Sequence, residues 1–436
     1  MSIYTSQLRY FALSHSIESA YPLDAFAASN PTLFPAFLWQ DRETREPWLG
    51  LGWAGVFSSL SECRNALTGI ETAGNALPFA PRCFGIAAFP THDDPLPSPW
   101  GGFQARLFVL PEMLARFRNG GAEFLLIRPV LESVSPDDAE VECACRLAEV
   151  RLVLENRQDR NHRVITNSGE NDSREQWIKA VEDIRRRIDS RHVQKVVLAR
   201  SEWRAASEPW NLALLLERLS AESDGCTLFG HRLSDDAFIG ATPERLFRVR
   251  GNTIETESLA GTRPRGSNIN EEQNFADQLR HSDKDNIEQS RVTEFLRIQL
   301  NEFCSSVEVS DQPSSRTLRT VQHLLTPLTG TLKDGITLDD ILTALHPTPA
   351  VGGLPRAAAL EMIASSESLP RGLYAGAMGW VSRDEAEFVV TIRSGLIAGT
   401  HATVFAGAGI VEDSDPQLEW EETVWKMQPL LRALEG

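Results

Sequence analysis

Cysteine is scarce in this chain, with six residues (Cys63, Cys83, Cys143, Cys145, Cys226 and Cys304) among 436. They show no zinc-type pairing, and the lone C-x-C of Cys143 and Cys145 reads as two strand residues on one face. Such sparse thiols fit a reducing cytoplasm better than a disulfide framework. Long apolar runs are missing too, since none approaches the roughly 18 to 20 residues that a bilayer-spanning helix needs. From Met1 to Arg9 no basic stretch leads into an apolar one, so no secretory signal is expected. Positive charge is in deficit, with 43 Lys and Arg against 60 Asp and Glu and a formal net charge of -17. That argues against nucleic acid and anionic membranes as partners, because both demand a basic surface. There are no internal repeats or low-complexity tracts, and no His/Cys cluster to attract a soft metal.

What is present is ordinary for a globular chain: 42% apolar and 24% charged residues, long enough to bury an extensive core. Residues 1–155 read as a strand-rich lobe, with apolar segments at 37–39, 48–56, 84–89, 105–111 and 123–128. Turn formers such as Asn119-Gly120-Gly121 separate them. Helices do not alternate with strands, so antiparallel pairing is expected and the class reads as α+β. Polar residues 156–172 read as a connector. The second region, 170–436, opens with a helix at Ser173, where Gln176 completes an S-x-x-Q capping box and Trp177, Val181, Ile184 and Ile188 keep a 3.6-residue period. Strands are expected at 254–261, 318–323, 386–397 and 402–411. One long helix is expected over 271–300, and a last helix from about Asp415 with Pro416 in its first turn.

Candidate chemistry concentrates in this second region. In Gln194-Lys195-Val196-Val197-Leu198-Ala199-Arg200 a lysine interrupts a half-buried apolar strand. Burial there would strip its hydration and favour its neutral, basic form, although a strand-end lysine more often snorkels to solvent. Glu244, in the Ala241-Thr242-Pro243-Glu244-Arg245-Leu246 segment, is a candidate acid. Glu419, Glu422 and Lys426 lie at i, i+3 and i+7 on the last helix and share one stripe; taken alone, that stripe is a solvated acidic face. Glu288 on the long helix offers a second carboxylate, and two carboxylates that leave most coordination sites to water and substrate suit magnesium. Arg393 interrupts the apolar run Phe388 to Ile392 and calls for a partner, either an internal carboxylate or a bound one. Gly407 and Gly409 form a G-x-G where backbone N–H groups could approach an anion, though a tight turn is the commoner reason for the pattern. His323 and His346 read as core histidines or pocket contacts.

The motifs KVVLAR, ATPERL, ESLAGTRPRG, DKDNIE, LHPTPAVGGLP, VVTIRS, FAGAGIV and EWEETVWK resemble, in order and spacing, those of the chorismate-utilising enzymes. Within that group the chain looks like the isochorismate synthases, most of all the menaquinone type. The aminating relatives carry glutamine at the position of Lys195, and Ala260 stands where aminodeoxychorismate synthases place a nucleophilic lysine. Salicylate synthases, the alternative reading, carry a threonine at the position of Ala350.

The resemblance implies two large antiparallel sheets packed face to face, helices outside, and the active site between the sheets. It implies chorismate as substrate and conversion to isochorismate, an isomerase reaction feeding menaquinone or siderophore synthesis. It also implies Lys195 as the base that activates water and Glu244 as the acid. Mg²⁺ would be held by Glu288 and Glu422, with Glu419 acting through water. Substrate contacts would come from Ala260, Gly261, Thr262, His323, His346, Tyr374, Arg393, Gly407, Gly409 and Lys426. No glutamine amidotransferase subunit is expected, and the chain would act as a monomer or homodimer. A dianionic substrate and a chain of net charge -17 repel each other. Binding therefore has to rest on a local positive field, which screening over about 8 Å permits.

Overall fold

Alternation along the strand Ala36–Gln40 sets the layering: Phe37 and Trp39 enter one apolar core cluster and Leu38 enters another. Such a period-2 split belongs to a strand buried on both faces. The computed structural model describes residues 8–28, 35–72, 76–158, 160–266 and 268–436. The start of the chain, residues 1–7, at which no secretory signal is expected, lies outside these.

Among the described residues the strands form two sheets, of thirteen and ten strands. The larger runs from Ile165–Glu170 through Lys195–Ala206, His401–Ile410, Ser394–Ala398 and Asp236–Thr242 to the strands of the first 131 residues. The smaller runs from Cys304–Val309 through Val321–Leu332, Thr253–Pro264, Arg245–Arg250 and Glu385–Val390 to Ala377–Val381, and ends on Cys83–Ala87, Arg106–Leu110 and Gly55–Phe57. Both sheets thus draw strands from either side of residue 155.

The sheets face one another through aromatic contacts. Phe37 of the larger stacks on Phe84 of the smaller with ring centroids 5.5 Å apart. The Arg82 guanidinium lies between Trp48 and Trp380, 3.7 and 3.6 Å from their ring centroids. Helices Pro22–Ala27, Leu212–Glu222 and Pro416–Glu435 cover the outer face of the larger sheet through Phe26, Leu215, Leu216 and Leu430. Helix Asp283–Phe303 lies on Thr253–Pro264 and Val321–Leu332. The fold is α+β, as expected, and Ser173 and Gln176 form the anticipated reciprocal cap of helix Arg174–Asp189. Asn119 and Gly120 both take positive φ in the turn between Met113–Arg118 and Gly121–Leu131.

Several expectations need correction. The single helix over 271–300 is two, Ile269–His281 and Asp283–Phe303, because the Ser282 hydroxyl accepts from the Asp285 N–H and caps a new helix. The strand over 386–397 is also two, Glu385–Val390 in the smaller sheet and Ser394–Ala398 in the larger. The segment 48–56 divides in the same way, into Pro47–Leu51 and Gly55–Phe57, with Gly52 at φ 64 between them. The polar connector contains a strand, Ile165–Glu170, which adds to the edge of Lys195–Ala206. The strand expected at 318–323 begins at Val321 and runs to Leu332. Among the described residues one pairing is parallel, Leu8–Ile17 with Ile70–Thr72. Finally, the strand that starts at Lys195 is buried on both faces, since Val196 and Leu198 pack with Trp177, Val181 and Ile184 of the capped helix.

Candidate active site

Two chain crossings between the sheets build the centre of the site. Asp236–Thr242 lies in the larger sheet and Arg245–Arg250 in the smaller, so the chain changes sheets at Pro243-Glu244. It changes sheets again between Val390 and Ser394, where Arg393 takes φ 54. The crossings lie side by side: the Val390 N–H donates to the Glu244 carbonyl at 3.1 Å, and the Ala241 N–H to the Arg393 carbonyl at 3.1 Å. Arg393 therefore stands at the break between two strands and not inside one. A non-glycine residue at positive φ costs of order 1 kcal/mol or more, and such strain collects at functional sites.

These crossings open onto a cavity lined by Glu244, Glu288, Arg393, Glu422 and Lys426, together with Tyr374. Ala260, Gly261, Thr262, His323, Gly407 and Gly409 line it as well. Gly261 supplies a bend: it takes φ 69 at a bulge where Thr253–Pro264 slips register against Val321–Leu332. Its carbonyl accepts from His323 Nδ1 at 2.9 Å. A carbonyl only accepts, so the Nδ1 nitrogen carries the proton and Nε2 is left to accept from Arg393 Nη2 at 3.2 Å. Burial, with Arg393 adding to it, holds His323 down at about 3, so the ring is neutral. Among the described residues Arg393 Nε is buried without a hydrogen-bond partner, a donor left over for an anion.

The Lys195 side chain is fully buried and donates to Glu288 Oε1 at 2.8 Å, in a direct ion pair. Lys426 donates to Glu422 Oε1 at 2.6 Å and to the Gly407 carbonyl at 2.9 Å. The last helix is thereby tied to the strand His401–Ile410. Burial pushes the Glu244 carboxyl up to about 8, helped by the neighbouring Glu257 carboxylate and opposed by Lys195, Lys426 and Thr348. The site thus pairs a buried amine with a carboxyl that stays protonated at neutral pH.

The chain matches the family described as chorismate binding enzyme over residues 3–435. It belongs to the chorismate-binding enzymes. It is 31% identical over 441 residues to the isochorismate synthase MenF of Bacillus subtilis, covering 97% of this chain and 93% of that one. It is 39% identical over 264 residues to the salicylate biosynthesis isochorismate synthase of Pseudomonas aeruginosa, covering 60% of this chain and 55% of the other. Among solved structures, the menaquinone-specific isochorismate synthase MenF of Escherichia coli superposes with a TM-score of 0.82 at 28% identity, covering 98% of this chain and 95% of that one.

Three residues expected at the site of this chorismate-binding enzyme do not line the cavity: Lys195 lies behind Glu288, to which it is hydrogen-bonded, and two others are placed elsewhere. His346 turns away from the cavity. Its Nε2 bonds the Ala375 carbonyl at 2.9 Å and its ring packs edge-on against Phe89, while burial holds it down at about 4. Glu419 is buried one turn before Glu422 and does not line the cavity. Gly407 and Gly409 leave room for side chains: a Cβ on Gly409 would lie 2.7 Å from Glu288 Oε1 and 2.9 Å from Lys195 Cε. A Cβ on Gly407 would lie 3.2 Å from the Tyr374 hydroxyl.

Glu257, and Arg42 and Arg316 that bond its carboxylate, were not singled out in the sequence. An acidic residue among the apolar positions of Thr253–Pro264 was the available signal for Glu257. Arg42 and Arg316 carried none, because only the fold brings them to it. No group of three or more His, Cys, Asp or Glu stands ready to hold a metal among the described residues. Glu288 and Glu422 do face one cavity, and two hard oxygen donors with room for water and substrate fit magnesium.

Proposed function

We propose that the protein is an isochorismate synthase that converts chorismate to isochorismate with Mg²⁺, on the menaquinone branch of its family. The observation that carries this reading is the pairing of a buried lysine at position 195 with a carboxyl at position 244 pushed up to about 8. Addition of water needs a base and departure of a hydroxyl needs an acid, and an amine beside a protonated carboxyl can divide those roles.

In its neutral form, which the step requires, Lys195 takes a proton from water, whose oxygen bonds to C2 of the ring. The double bonds shift, the C4–O bond breaks, and Glu244 gives its proton to the departing hydroxyl. One water is added and one is lost, so the reaction is an isomerisation. Glu288 orients Lys195 through their hydrogen bond. Arg393, with its unused Nε donor, and Tyr374 hold the enolpyruvyl carboxylate, with backbone N–H groups near Gly407 and Gly409. Ala260, Gly261, Thr262 and His323 shape the ring's side of the cavity, and Lys426 offsets substrate charge. A magnesium ion held by Glu288 and Glu422 would neutralise the ring carboxylate.

Six free cysteines support a cytoplasmic location, and no helix of the described residues is long and apolar enough to cross a membrane. We further propose that the chain acts without an amidotransferase subunit, as a monomer or homodimer. Incubation with chorismate and Mg²⁺, followed by separation of the products, tests the activity. Isochorismate without pyruvate is expected. Salicylate with pyruvate would instead make the protein a salicylate synthase.

A further inference from the structure

Three side chains that the mechanism does not use converge behind Glu244. Arg42 follows the strand Ala36–Gln40, Glu257 lies on Thr253–Pro264, and Arg316 lies on Ser314–Thr317. Arg42 grips the Glu257 carboxylate with both terminal nitrogens, at 2.7 and 2.8 Å. Arg316 does the same at 2.9 and 3.2 Å. Each arginine also donates to the Pro243 carbonyl, Arg42 at 2.8 Å and Arg316 at 2.9 Å. On the other side of the acid, the Arg245 N–H donates to Glu257 Oε1 at 2.9 Å. The residues before and after Glu244 are therefore tied to one cluster, across the point where the chain changes sheets.

We infer that Arg42, Glu257 and Arg316 are positioning residues that hold Glu244 toward the cavity and keep a fixed negative charge behind it. The inference rests on the reading of Glu244 as the acid. Bidentate arginine–carboxylate pairs have one good geometry, so two of them on a single carboxylate leave the crossing little freedom. Glu257 stays ionised, held down at about 2 because the guanidinium hydrogen bonds and charges outweigh the cost of its burial. Its charge then opposes ionisation of Glu244. Other groups facing Glu244 are Lys195 from its strand, Lys426 from the last helix, Thr348, and Arg393 and Tyr374. The cluster also gives the first part of the chain a part in the chemistry, through Arg42.

Kinetics of Glu257→Gln, Glu244→Gln and the double variant test this. Glu257→Gln removes the negative charge and leaves both arginines uncompensated, and each change favours ionised Glu244. The high-pH limb of kcat/KM should move down by about one pH unit. kcat should fall at least roughly tenfold while KM stays within about twofold. In the Glu244→Gln background the same change should cost less than about twofold, because residues that act through one group are not additive. Arg42→Lys keeps the charge but loses the fork, so it should lower kcat without moving the limb; it carries the test if Glu257→Gln does not fold. Additive losses, or a limb that stays in place in Glu257→Gln, would overturn the inference. If Glu244→Gln keeps wild-type kcat, the assignment of the acid fails instead.

Discussion

Lys195 Nζ and Glu288 Oε1 lie 2.8 Å apart, so the proposed base and a proposed metal ligand are hydrogen-bonded to each other. The lysine has no exposure and the Glu288 side chain 16%; Glu288 lines the cavity and the amine lies behind it. Changes to either residue therefore reach the other.

Lys195→Gln and Lys195→Ala should lower isochorismate formation by about 10²- to 10⁴-fold, the usual contribution of a positioned base. Glutamine matches the aminating relatives, so that variant should gain slight activity at high ammonium. Steady-state turnover at matched protein folding, checked by circular dichroism, measures this. Near wild-type turnover with water in Lys195→Gln would remove the lysine from the mechanism.

Glu288→Gln and Glu422→Gln should each raise the magnesium concentration needed for half-maximal activity, by roughly tenfold or more, since one of two anionic ligands is lost. Calorimetric titration with Mg²⁺ gives the same comparison without turnover. Glu288→Gln should also lower kcat at saturating magnesium, because Lys195 loses its orienting partner; Glu422→Gln should do so less. Unchanged midpoints in both variants would leave the carboxylates without a metal role.

Protonated Glu244 is the form the reaction requires, and its carboxyl titrates at about 8. Activity should therefore be retained as pH rises through 7 and should fall above about 8 as the acid ionises. The sign is set by the role, since an acid fails when it loses its proton. A kcat/KM profile that still climbs beyond pH 9 would contradict the assignment.

Glu244→Gln should lower kcat and leave KM nearly unchanged. Arg393→Ala should mainly raise KM by losing a charged hydrogen-bonding contact typically worth about 1.5 to 3 kcal/mol. The contrast separates a group used in the transition state from one used in both states. Loss of affinity alone in Glu244→Gln would make that glutamate a binding residue.

Gly409→Ala places a methyl group 2.7 Å from Glu288 Oε1 and 2.9 Å from Lys195 Cε. Both atoms lie toward the ends of flexible side chains, so the strand should persist while the pair is pushed apart. Activity should drop by roughly tenfold or more with little change in melting temperature, given that small misplacements of catalytic groups are costly. Full activity in this variant would show that the pair need not hold its observed geometry.

The sequence by itself determined the α+β class and the capped helix at Ser173, because strand patterning and a capping box are local signals. Burial of Lys195 and the gathering of Glu244, Glu288, Arg393, Glu422 and Lys426 are implied only by the family resemblance, since local patterns alone favour an exposed lysine and a solvated helix face. Only the tertiary structure decided that the run ending in Arg393 breaks and changes sheets beside Glu244, because apolar periodicity is the same on both sides of a crossing. It likewise separated His346 from the cavity, since side-chain direction after a helix end depends on packing against Phe89 and Ala375. The Arg42–Glu257–Arg316 cluster is the clearest case. Arg42 and Arg316 lie 215 and 59 residues from Glu257, the first reaching it from the facing sheet and the second within its own sheet, and no local pattern records either contact.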